Sequence, residues 1–269
     1  ADLLKLADLI ARAAPKVSRL WSGYWGREQS FVLLRPKERA LLFSRVAPTA
    51  DNTILNGENI PASLRGRIYA HRNYPPIEAN GDPTFRVGNA FAPALEPQKA
   101  TGLGSAEFQH LNYLYHEWFH AFQRNGLFKP SADEPQASFR QPMVTPDRIA
   151  DPKFTEAAEL ERRILITALQ TASEKELRRL LQQYLAVRFV RTRSLPDVQS
   201  VERHFERYEG TATLVGLQAA MVATDAPAEL TSNWIHNHLE KKLDSFPASP
   251  TPDSRLMRWR LYSTGAAIG

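Results

Sequence analysis

The chain has no cysteine in its 269 residues. That excludes disulfide staples and any cysteine-ligated metal, so a zinc site would have to be built from histidine and carboxylates. It also leaves the redox compartment open. No apolar run is long enough to cross a bilayer, so no transmembrane segment is expected. A strong charge of one sign is lacking too. The net charge of +5 is modest for this length and is spread along arginine-rich stretches rather than gathered in one tail. Neither basic-aromatic alternation nor a nucleic-acid motif accompanies it, so nucleic acid is not an expected partner. Internal repeats and low-complexity segments are absent. What remains, 43% hydrophobic and 23% charged, is an ordinary globular composition, enough for one large domain or two modest lobes.

Against that plain background one stretch carries chemistry. His116-Glu117-Trp118-Phe119-His120 reads H-E-x-x-H inside a predicted helix, the pattern of a zinc-dependent hydrolase. Two histidines four apart differ by about 40° in direction and leave the same helix face, so both can offer a nitrogen to one Zn²⁺. Glu117 lies about 100° further round, placed to reach a zinc-activated water as general base without being a ligand. The motif needs a third ligand and a donor for the transition state.

Apolar spacing and breakers set the expected elements. Leu3, Leu6, Leu9, Ile10 and Ala13 predict a packing helix over 2–14, ended by Pro15. A loop rich in large aromatics, Trp21 to Trp25, follows. Phe31–Leu34 and Ala40–Phe43 predict a β-hairpin, and 67–70 and 84–87 short strands between many glycines and prolines. Residues 87–92 are read as an edge strand against which an extended peptide could pair. From Ser105, an N-cap, the pattern turns helical: 105–125 is the active helix, stopped by Asn125-Gly126. Residues 127–152 read as a surface loop. Helices are expected over 156–170, 174–194 (with Ser173 and Glu176 as a capping box), 197–222, 228–243 and from 254 on. The fold class is thus α+β: a small antiparallel or mixed sheet with long loops over 1–104, then a mainly helical lobe over 105–269. Ala1 opens the chain without methionine, as signal-peptide cleavage would leave it. This sets an expectation of a periplasmic or secreted protein, although trimming of a cytoplasmic one gives the same start.

Further downstream, Tyr208-Glu209-Gly210-Thr211-Ala212 resembles the ligand helix of the gluzincin metallopeptidases, the clan of thermolysin-like and aminopeptidase N-like enzymes. In the aminopeptidases the third zinc ligand is a glutamate in an Asn-Glu-Gly-x-Ala pattern. The resemblance implies that Glu209 is the third ligand beside His116 and His120. It also implies a zincin-like catalytic lobe and Zn²⁺ as the cofactor, with a peptide or protein as substrate. Tyr208 stands where the family has asparagine. The spacing departs further, because residues 121–208 and two whole helices separate His120 from Glu209, whereas in those enzymes the glutamate follows much sooner. The same family places an oxyanion-binding tyrosine in a Tyr-x-x-Gly-Ala stretch on a later helix, which Tyr262-Ser263-Thr264-Gly265-Ala266 matches, with Thr264 where the family has lysine. Tyr262 is therefore the implied donor, and a tyrosine that merely packs its ring against the bundle is the plainer alternative. The specific resemblance covers less than a third of the chain.

Rival ligands exist. Glu156, Glu159 and Glu161 lie nearer in sequence, with Glu159 set among apolar neighbours, and Glu206 is one turn before Glu209. His204 should point elsewhere on its helix, and His71, His110, His236 and His238 read as surface or core histidines. Three functions stay open: a zinc metallopeptidase, a zinc hydrolase of a non-protein amide, and an inactive binding or scaffold protein that keeps the fold. Cleavage preference and oligomeric state are not written in the residues.

Overall fold

The computed structural model describes residues 2–25, 29–33, 40–44, 52–71, 84–87, 90–95, 103–123, 151–240 and 252–268. The expected surface loop 127–152 lies almost wholly outside them. The fold is α+β. By contacts the chain forms two compact units, Ala1–Leu127 with Val215–Leu230, and Phe128–Leu214 with Thr231–Gly269. The split at 104/105 read from sequence is one of pattern, sheet before helices, and divides the chain differently from its contacts.

The first unit begins with α1 (Leu3–Val17). Asp2 caps it, its Oδ1 accepting from the backbone N–H of Leu4 at 3.0 Å, and Leu3, Leu6, Ala7, Ile10, Ala13 and Val17 are buried along one stripe. Pro15 does not end this helix. It forgoes one backbone bond close to the C-terminus, and the Ser18 N–H still closes on the Ala14 carbonyl at 3.0 Å. Six strands follow: β1 (Phe31–Leu33), β2 (Ala40–Phe43), β3 (Asn52–Ile54), β4 (Ile68–His71), β5 (Thr84–Val87) and β6 (Ala90–Leu95). Their order in the sheet is β3-β4-β2-β1-β6-β5. The expected hairpin is present, with Phe31 opposite Phe43 and their rings stacked at 4.8 Å. Among the described residues every pairing is antiparallel except β1 with β6.

β6 lies between β1 and β5, and its partners divide along it: Ala90 to Pro93 pair with β5, and Ala94 and Leu95 with β1. The part of the expected edge strand that falls in β6, Ala90 to Ala92, is thus paired on one side, with β5. Among the described residues the outer strands of the sheet are β3 and β5.

Helix α2 (Ala106–Phe122) opens where expected, with the Ser105 Oγ accepting from the Phe108 N–H at 3.1 Å. Phe108, Leu111, Leu114, Tyr115, Trp118 and Phe119 are buried on it. The aromatic loop before the sheet packs along this helix. The Trp25 ring lies 5.2 Å from Trp118, the Tyr24 ring 4.9 Å from Phe119, and the Tyr24 hydroxyl donates to the Tyr115 carbonyl at 2.8 Å. Burial pushes the pKa of both tyrosines up, so both hydroxyls stay neutral. Rings of this size dominate local packing, and they fix the backbone that bears His116 and His120.

The second unit is helical. α3 (Pro152–Gln170) begins four residues before its expected start, because Asp151 supplies a cap and Pro152 suits the first turn. α4 (Glu174–Thr192) has the expected Ser173 cap, accepting from the Glu176 N–H at 3.3 Å, while the Glu176 carboxylate pairs with Arg179 instead of completing the box. The expected helix 197–222 is one continuous rod in three parts. These are α5 (Pro196–Phe205), a π turn (Glu206–Gly210) and α6 (Thr211–Thr224), which carries the chain into the first unit. α7 (Glu229–Glu240) and α8 (Pro252–Ile268) complete the chain.

A buried ionic network ties the second unit together. Arg191 binds Glu202 with two hydrogen bonds at 2.7 and 2.8 Å and Glu161 at 2.6 Å. Arg188 reaches Glu161 at 3.1 Å and Glu206 at 2.9 Å, and Arg260 lies 3.9 Å from Glu161. The Thr264 hydroxyl donates to Glu206 at 2.7 Å. Burial opposes the charge on Glu202, yet the bond and charge of Arg191 outweigh it and hold that carboxyl below its ordinary range.

Candidate metal centre

Helix α2 presents His116 and His120 one turn apart. Their rings are nearly perpendicular, with centroids 4.6 Å apart, and the two Nε2 atoms approach to 3.0 Å. The His120 Nδ1 lies 2.8 Å from the Oε1 of fully buried Gln123. An amide oxygen only accepts, so a neutral His120 that donates to it from Nδ1 holds its Nε2 lone pair towards His116. The Nε2–Nε2 approach then takes a proton or a cation between the two rings, and Gln123 is placed to orient one of them.

Glu209 sits in the π turn and is 2% exposed. His116, His120 and Glu209 each offer one ligand atom, and these atoms all lie within 4.8 Å of one another. Donors around a tetrahedral zinc are roughly 3.4 Å apart, given bonds of about 2.0–2.1 Å. The two nitrogens already sit inside that spacing. The donor set of two neutral imidazoles and one carboxylate suits zinc.

The π turn also explains how two glutamates three apart serve different ends. In an α-helix Glu206 and Glu209 would leave nearly the same face. The wider turn opens the angle between them. Glu206 is directed into the arginine network, and Glu209 into the histidine group.

Two glycine contacts hold the helices that carry these residues. A Cβ on Gly216 of α6 would stand 2.7 Å from the Asn112 carbonyl oxygen and 3.1 Å from the His116 Cβ. The rod bearing Glu209 therefore presses against α2 at the turn of His116, two turns beyond the glutamate. Gly210, which follows Glu209 directly, meets a different neighbour: a Cβ there would collide with the backbone of Gly265 on α8. Gly216 thus admits α2, and Gly210 admits α8.

Glu117 is half-buried on α2, beside the histidine pair in sequence and outside the ligand group. Tyr262 is half-buried on α8, one turn before the Gly265 that packs on the π turn. The rival carboxylates are engaged elsewhere. Glu159 pairs with Arg162 at 2.6 Å, Glu161 and Glu206 belong to the arginine network, and Glu156 is exposed. His204 stacks on Tyr208 at 6.0 Å, His236 contacts Gln170 at 2.7 Å, and His238 stacks on Trp234 at 3.6 Å. His110 is buried on α2 and outside the group, and the side chain of His71 lies outside the described residues.

Sequence reasoning missed Gln123 and Gly216. Gln123 lies three residues beyond His120, a spacing that places it on a neighbouring face, and a glycine inside an apolar helix signals close backbone approach. No family model matches the chain, and neither the curated proteins nor the solved structures contain a match to it.

Proposed function

We propose that the chain is a zinc-dependent metallopeptidase of the gluzincin kind, hydrolysing peptide bonds in a peptide or protein substrate. One observation carries this reading: the H-E-x-x-H histidines and the distant Glu209 form a single three-donor group. The tautomer that Gln123 imposes on His120 supports it.

His116 and His120 would each offer Nε2, and Glu209 one carboxylate oxygen. Bound zinc supplies Lewis-acid chemistry, acidifying a water and polarising the scissile carbonyl. A ligand set with a single negative charge leaves that acidity largely intact. Glu117 takes the proton of the attacking water at its carboxylate and passes it to the leaving amine. The Tyr262 phenol donates a hydrogen bond to the developing oxyanion. Gln123 keeps the proton of His120 on Nδ1, so that Nε2 remains a ligand.

The test is a peptide library incubated with zinc-loaded protein, with and without a chelator. Cleavage is expected, abolished by the chelator and by Glu117→Gln, with zinc content unchanged in that variant. Zinc-loaded protein that cuts no peptide would sink the peptidase reading.

A further inference from the structure

The second unit carries a groove that the chemistry above does not use. It runs between α4 and the α5–π segment, with the end of α8 at its rim, and encloses about 480 Å³. That volume lies within the ordinary range of small-molecule sites, about 300–1,000 Å³. Its two walls differ in character. Of the large hydrophobic side chains exposed among the described residues, Leu185, Phe189 and Ile268 gather here, at 62%, 59% and 48% exposure. The facing wall is polar and contains Gln199, Glu202, Arg203 and Glu206.

The charges of that polar wall are unequally spent. Glu202 is held by Arg191 at 2.7 Å and Glu206 by Arg188 at 2.9 Å, so neither carboxylate remains to repel an anion. Arg203 is exposed and makes no ion pair among the described residues. An apolar wall facing one guanidinium without a carboxylate partner is complementary to a molecule with an apolar body and a single anionic head.

We propose that this groove binds a monomeric alkyl carboxylate, its chain along Leu185, Phe189 and Ile268 and its carboxylate on Arg203. The site would use none of the metal ligands, so it stands whether or not the centre on α2 holds zinc.

Isothermal titration with dodecanoate, kept below its micelle concentration, tests this. Saturable one-to-one binding is expected, tighter than that of decanoate, because each buried methylene strengthens binding up to about fourfold. Arg203→Gln should weaken dodecanoate about tenfold while leaving dodecanol unaffected, since it removes a charge-assisted bond only. Phe189→Ser should weaken both. These are exposed positions, and unchanged circular dichroism would show that the variants fold. The proposal is overturned by any of three results: no saturable binding, dodecyltrimethylammonium binding as tightly as dodecanoate, or dodecanoate affinity unchanged in both variants. A wild-type dimer in sedimentation that Phe189→Ser converts to monomer would overturn it too, by assigning the groove to a second copy of the chain.

Discussion

Among the described residues, four buried glutamates lie in two settings that differ by a single helical turn. Glu161, Glu202 and Glu206 are matched to Arg188, Arg191 and Arg260, whose charge is permanent. Glu209 is grouped with His116 and His120, whose ring nitrogens are potential metal ligands. The first setting closes on itself. Each carboxylate has a guanidinium with directed hydrogen bonds, and a buried ionic group must be paired in this way to be tolerated. The second groups one carboxylate with two imidazoles, the donor set that the proposed zinc would use.

Substitutions on the two sides should therefore fail in different ways. The largest effect is expected from Glu117→Gln, which removes the proposed proton carrier: peptide cleavage should fall by about 10²–10⁴, with zinc content and thermal midpoint unchanged. Loss of zinc in this variant would instead place Glu117 among the ligands. In the arginine network, Glu161→Gln leaves Arg191 and Arg188 without their shared carboxylate and should cost about 3–5 kcal/mol of stability. Chemical denaturation measures this. Zinc stoichiometry of the folded fraction should be preserved, and its loss would show that the two settings are one.

Smaller effects sharpen the boundary. Gln123→Leu should lower zinc affinity about 10–100-fold, because His120 loses the acceptor that fixes its tautomer, and competition with a chromophoric chelator would read this. Gly216→Ala inserts a methyl group against the Asn112 carbonyl and the His116 Cβ. It should destabilise by about 1–3 kcal/mol and weaken zinc binding with it. The subtlest effect is on pH. Glu202 has a folded pKa below its unfolded value of about 4.3. Its contribution is fully present above that value and is lost as pH falls through the folded one. Glu202→Gln should therefore lower stability at neutral pH and flatten its decline in acid, as urea titrations from pH 7 to pH 3 would show.

Much of this was legible in the chain, and what was not has physical causes. The hairpin, the helix bearing His116 and His120, the Ser105 cap and the helical second half follow from periodicity and capping, which are local. The rank of β6 in the sheet is not local: an apolar strand reads alike with one partner or two. The grouping of Glu209 with residues some ninety positions earlier was expected from resemblance to a family pattern, and no spacing rule could supply it. The helix 197–222 is expected without its π turn, because Glu206–Gly210 has no proline and its single glycine leaves the helical periodicity intact. Gln123 and the arginine network went unread for a shared reason. Polar residues on helices are normally solvated, and only tertiary packing buries these.

The most direct test of the central claim is the zinc content of the purified chain after reconstitution and removal of loosely held metal. It should be measured by mass spectrometry for the wild type, His120→Ala, Glu209→Gln and Glu206→Gln. One zinc per chain is expected in the wild type, with loss in His120→Ala and Glu209→Gln and retention in folded Glu206→Gln. A wild type that holds no zinc, or Glu209→Gln with unchanged affinity, would contradict the assignment of His116, His120 and Glu209 as one metal centre.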